Sequence, residues 1–180
     1  MPSRPAGKPP TAMTAFMRRY VRIVDAINYR LGRVVMYGIF VMIGILLWSS
    51  ISKTFFLPSL WTLEMAQFAM VAYYMLGGPY AIQMGSNVRM DLFYGSWTAR
   101  QKAWIDAFTV VFLLFFLGVL LYGAVDSTTY ALEYNERSYS AWRPYMWPIK
   151  LITCLGIALM LLQALSELCK DIATIRGVEL

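Results

Sequence analysis

The chain has 180 residues, 59% of them hydrophobic and 14% charged, with a mean hydropathy of +0.53. A soluble domain of this length carries more charge and shorter apolar runs, so that class is excluded. The net charge is +6 and histidine is absent, which removes histidine metal sites, bis-histidine haem ligation and histidine general-base chemistry.

Residues 1–12, "MPSRPAGKPPTA", are rich in Pro and small residues and predict a disordered N-terminus. From Met13 a helical pattern begins. Met13, Phe16, Met17, Tyr20, Val24, Ile27 and Leu31 recur at three- and four-residue steps. Arg18, Arg19, Arg22, Arg30 and Arg33 fall mostly elsewhere on the wheel. Residues 13–33 therefore read as an amphipathic helix in the membrane interface, its arginines on phospholipid headgroups, with a bend near Gly32.

Four apolar runs follow, at about 34–57, 60–84, 104–124 and 147–168. About 20 apolar residues cross a hydrocarbon core of roughly 30 Å, and backbone groups there must be satisfied within a helix. The expected fold is an all-α membrane protein: four transmembrane helices behind one interfacial helix, then a tail at 169–180. Of the 16 Lys and Arg, 12 fall on the side that carries both termini and the 85–103 link. The positive-inside rule makes that side cytoplasmic. Nucleic-acid binding is the poorer use of this charge, because no soluble module accompanies it.

The first run is nearly featureless, with Lys53 near its outer end. The second, "LWTLEMAQFAMVAYYMLGGPYAIQM", is the richest. Glu64 lies about one turn inside it. Gln67, Tyr73 and Tyr74 add polar groups, and Ala66, Ala69 and Gly77 offer a surface for close helix approach. Pro79, beside Gly77 and Gly78, predicts a kink. Past this run stand Arg89 and Asp91. Two residues apart, they would not face each other on a helix, so each needs its own partner. Asp91 suits a helix cap and Arg89 a phosphate or carboxylate. No nucleophile, second acid or histidine lies near them, so catalysis is the weakest reading.

The third run carries Asp106 at its cytoplasmic end. In the fourth, Gln163 is the only strongly polar group deep in the helix, and a helix–helix hydrogen bond is its expected role. Cys154 and Cys169 stand 15 residues apart on that helix and cannot bond to each other there. The outer link, "VDSTTYALEYNERSYSAWRPYMW", concentrates Tyr, Trp, Arg137 and Arg143. Such a segment reads equally as an aromatic membrane belt or as a protein-docking surface.

In its order and spacing the chain resembles the small (Q, DctQ-like) subunit of tripartite ATP-independent periplasmic (TRAP) transporters. The residues that carry the resemblance are "SLWTLEMAQFAMVAYYMLGG", then "NVRMDLFY", "NER" at 135–137 and the Gln163 region, over about 20–170. Leu63 stands before Glu64 where many members carry a second acid. The resemblance implies a scaffold with no enzyme activity and no cofactor. It implies two protein partners: a large membrane (M) subunit that carries solute and sodium like an elevator, and a periplasmic substrate-binding (P) protein that delivers solutes such as organic acids. Glu64, Ala66, Ala69, Gly77, Arg89, Asp91 and Gln163 are the expected contacts with the large subunit or lipid. Arg137, Tyr139, Trp142 and Arg143 are the expected docking residues for the binding protein. The expected location is the bacterial inner membrane. The alternative is a stand-alone four-helix transporter acting as a homodimer. A redox-enzyme anchor is a third class, which the missing histidines oppose.

Overall fold

The structure, a computed structural model, describes residues 12–57, 59–85 and 99–176. Five helices occupy them: α1 Ala12–Met36, α2 Gly38–Phe55, α3 Thr62–Gln83, α4 Ala99–Glu133 and α5 Trp147–Arg176. By their contacts α2, α3, α5 and α4 stand in that order side by side. The first helix, α1, packs across the neighbouring ends of α3 and α5. The α2–α3 and α4–α5 links lie at the opposite end, called here the loop end.

The surface is apolar and the interior is mixed. Among the described residues, eight polar or charged side chains are buried against seven apolar ones. Phe108, Phe112, Phe115 and Phe116 of α4 all stand exposed. Only 6% of the apolar window of α4 is buried, against 33% for α5, which makes α5 the central helix. Leu117, Ile157 and Ala164 form the small core, with Met75, Leu113, Leu114 and Met160 around it. This is the distribution that a hydrocarbon solvent selects.

Three stretches are long and apolar enough to cross a membrane: Phe16–Phe55, which joins α1 to α2, Trp104–Glu133 and Trp147–Ile175. The second run of the sequence, α3, is not among them. Glu64, Gln67, Gln83 and its tyrosines, glycines and proline lower its hydropathy.

Several boundaries differ from the sequence reading. The helix α1 continues unbroken through Gly32, where a bend is expected. A Cβ on Gly32 would stand 2.3 Å from Cγ of Tyr80, so this glycine serves close approach to α3. The break falls at Tyr37, where short three-residue bonds, Tyr37 N to Val34 O and Phe40 N to Tyr37 O, both 3.1 Å, replace the helical ones. The fourth helix runs on to Glu133, past the expected end at Ala124. The last runs on to Arg176, into the expected tail. The third, α3, runs through Pro79 as one helix, as its expected span does.

Candidate functional site

Among the described residues, the side chains gathered most densely across helices lie where α1 crosses α3 and α5. On α1, Val24 and Asn28 are buried and Asp25 is half-buried. On α5, Gln163, Ser166, Glu167 and Lys170 repeat at steps of three and four and so share one face. Asn28 Nδ2 donates to Gln163 Oε1 at 2.7 Å. Gln163 Nε2 donates to Asp25 Oδ1 at 3.0 Å and to Glu167 Oε1 at 3.1 Å. Ser166 Oγ donates to Asp25 Oδ1 at 3.1 Å. The Lys170 ammonium lies 2.8 Å from both the Asp25 and the Glu167 carboxylates. Gln83 Nε2 of α3 donates to the backbone carbonyl of Asp25 at 3.1 Å, and Tyr20 OH to that of Leu162 at 3.1 Å.

A cation shared by two carboxylates joins α1 to α5 in this node, and the Gln83 amide ties in α3. Asn28 Oδ1 and Gln83 Oε1 remain buried without a partner, so the network is not fully satisfied. Its chemistry is that of a clamp. Gln163 makes the interhelical bond expected from its sequence setting. Asp25 and Asn28 were not anticipated. Their signal was available: they stand one and four residues from Val24, among the apolar positions of a helix whose arginines lie elsewhere.

A second cluster ties α2 to α3 at the loop end. The hydroxyls of Ser52 and Ser59, Ser59 and Thr62, and Thr62 and Ser49 each lie 3.1 Å apart. Ser52 also donates to Trp48 O at 2.9 Å, the local bond that lets a serine sit inside an apolar helix. Glu64 is buried close by in sequence, and its Oε2 has no hydrogen-bond partner.

The residues expected to face a partner fall into different environments. Gln163 and Glu64 turn inward. Ala66 and Ala69 are half-buried on the face that Thr62 and Tyr73 begin and end. Both ends of that face touch α2, through Thr62 to Ser49 and Tyr73 to Gly38, so the chain itself uses it. Gly77 lines an open groove between α1 and α3. Arg89 and Asp91 lie outside the described residues.

At the loop end, residues 134–146 fold back on themselves. Arg137 and Tyr145 form an isolated antiparallel bridge, supported by Ser138 N to Pro144 O at 2.9 Å and Met146 N to Glu136 O at 3.0 Å. The Arg137 guanidinium stacks over the Tyr145 ring at 4.3 Å and donates to its hydroxyl. Glu136 pairs with Lys150 of α5. Tyr139, Trp142 and Arg143 stand exposed. Arg143 takes a left-handed φ of 50°, held by its own N–H donating to Ser140 Oγ at 3.2 Å. Its guanidinium has no ion-pair partner among the described residues.

On α1, Arg18, Arg19, Arg22, Arg30 and Arg33 are all exposed. Arg33 donates to the Tyr29 hydroxyl at 2.5 Å. Exposed Phe16, Ile23, Ile27 and Val34 form an apolar strip between these arginines and the buried face. Cys154 and Cys169 are free thiols.

A family model described as tripartite ATP-independent periplasmic transporters, DctQ component, matches residues 42–174. The match runs from within α2 to near the end of α5 and holds the α5 half of the node, while α1 precedes it. No curated protein and no solved structure matches the chain. The family is a membrane transporter component and not an enzyme. The match spans well over half the chain, which belongs to the DctQ family, the small (Q) subunits of TRAP transporters.

Proposed function

We propose that the chain is a fixed support in a sodium-coupled solute importer of the bacterial inner membrane. In this reading α2, α3, α4 and α5 each cross the bilayer. The helix α1 lies in the cytoplasmic interface, and both termini are cytoplasmic. The basic bias of the terminal side supports that orientation. The exposed arginines and apolar strip of α1 suit anionic headgroups and the acyl boundary beneath them. The larger membrane subunit carries solute and sodium, moving like an elevator against this bundle. A periplasmic binding protein brings an organic acid to the loop end, where Tyr139, Trp142 and Arg143 are exposed.

One observation carries the support role. Asp25, Glu167 and Lys170 hold one another across two helices. A carrier's ionisable groups must exchange partners as ions pass, whereas these serve as cross-ties. Length and position support the crossing of α3: 22 residues rise about 33 Å, and the helix stands between α2 and α5.

Reconstitution in sodium-loaded gradients tests this reading. Liposomes holding the chain, the larger membrane subunit and external binding protein should take up solute. Liposomes holding the chain alone should not. Uptake by the chain alone would overturn the support role and leave the homodimeric transporter in its place.

A further inference from the structure

The sides of α3 can be told apart by what they touch. Thr62 and Tyr73 meet α2. Met75 and Gly78 meet α5: a Cβ on Gly156 would lie 2.6 Å from Met75 O, and one on Gly78 2.2 Å from Met160 Cε. Tyr80 and Gln83 meet α1. The remaining side is Leu63, Gln67, Met70 and Tyr74, spaced at i, i+4, i+7 and i+11. All four are exposed, Tyr74 at 60%.

This side is not composed for lipid. The Gln67 amide has no hydrogen-bond partner among the described residues, and acyl chains offer neither donor nor acceptor. Tyr74 lies 12 residues beyond Thr62, about 18 Å along the helix, which sets its phenol near mid-height of a crossing α3. The exposed sides of α2 and α4, by contrast, carry Phe40, Val41, Leu47, Phe112, Phe115 and Val119. Beside Tyr74 the strip opens into an apolar groove of ≈ 320 Å³, lined by Val35, Met36, Tyr73, Gly77 and Ala81. A Cβ on Gly77 would meet nothing closer than Val35 Cγ1 at 3.9 Å, so the chain's own packing does not require glycine there.

We infer that the Leu63–Gln67–Met70–Tyr74 side of α3 docks one membrane-spanning helix of the larger subunit, a helix that presents a hydrogen-bonding side chain at the depth of Gln67. The inference rests on the subunit reading above and names the surface that reading leaves open. It moves the contact off Glu64 and Gln163, which are buried within the chain.

The test uses the complex co-expressed with the larger subunit and purified in mild detergent. A benzophenone-bearing phenylalanine analogue replaces Tyr74, and the complex is irradiated. The expected product is an adduct of this chain with the larger subunit. In parallel, Gln67→Leu should lower recovery of the larger subunit at least threefold, with the variant itself folded, since Gln67 bonds to nothing among the described residues. An adduct only with lipid or with a second copy of this chain would overturn the inference, as would undiminished recovery with Gln67→Leu. Failure of the unmodified chain to recover any larger subunit would sink the subunit reading itself, and the inference with it.

Discussion

Asn28 and Gln163, 135 residues apart in the chain, meet at 2.7 Å in a place where each is at most 1% exposed. The bond joins a helix outside the family match to the central helix inside it. Replacing either residue by leucine leaves the other amide buried without its partner, which costs more than the net worth of the bond. In a double-mutant cycle of Asn28→Leu and Gln163→Leu, the coupling should be about 0.6–2 kcal/mol, the range for hydrogen bonds between membrane helices. Thermal unfolding in detergent measures it. Additive losses would show that the two amides do not depend on each other.

How much of this was legible beforehand varies by residue. Gln163 stood out because an amide deep in an apolar run needs a partner. Asp25 and Asn28 did not, because the arginines and the apolar repeat of α1 suggested a helix facing only lipid and water. The places of Asp25 and Asn28 beside Val24 hint at a third side, but what that side meets becomes visible only when α5 is placed against it. The length of α4 was hidden in the same way. Asp126, Ser127, Thr128 and Thr129 look like a link, yet Thr128 Oγ1 donates to Ala124 O at 2.6 Å and Thr129 Oγ1 to Asp126 O at 2.8 Å. Hydroxyls that bond back to the preceding turn let a polar stretch remain helical. The side of α3 that faces out could not be read from composition, since its helical wheel is almost evenly mixed.

Lys170 bridges Asp25 of α1 and Glu167 of its own helix, each at 2.8 Å. Lys170→Met would leave two carboxylates facing each other across Gln163 with no cation between them. The three side chains are 24–32% exposed, so water screens part of the effect, and the expected loss is about 1 kcal/mol. The readout is local: backbone amides of α1 should exchange with deuterium faster in Lys170→Met and at the wild-type rate in Lys170→Arg. Unchanged protection of α1 in the methionine variant would mean that the shared cation does not hold this helix.

Gly156 marks the closest approach of α5 to α3. A Cβ there would fall 2.6 Å from the backbone oxygen of Met75, and a backbone atom cannot turn aside as a side chain can. Gly156→Ala must therefore part the two helices, at about 1–3 kcal/mol for overpacking. Gly118 on α4 has nothing within 4 Å of its Cβ position. Gly118→Ala should leave the melting temperature unchanged or raise it, because alanine is the better helix former by about 0.8–1.0 kcal/mol. Equal effects at the two sites would contradict the packing of α3 on α5.

The two arginines of the loop end should separate a folding role from a docking role. Arg137 is engaged with Tyr145 by stacking and by a hydrogen bond, so Arg137→Ala should loosen residues 134–146 and lower the melting temperature slightly. Arg143 is exposed, with a guanidinium that pairs with nothing described and a backbone already fixed by Ser140. Arg143→Glu should leave the fold intact. If Arg143 receives an acidic patch of the binding protein, the reversed charge should slow encounter and raise the half-saturating concentration of binding protein several-fold, leaving uptake at saturation unchanged. The shift should shrink as salt screens the contact. Uptake measured against binding-protein concentration in proteoliposomes decides the matter, and a wild-type curve for Arg143→Glu would assign the exposed aromatic residues of this loop to the membrane interface instead.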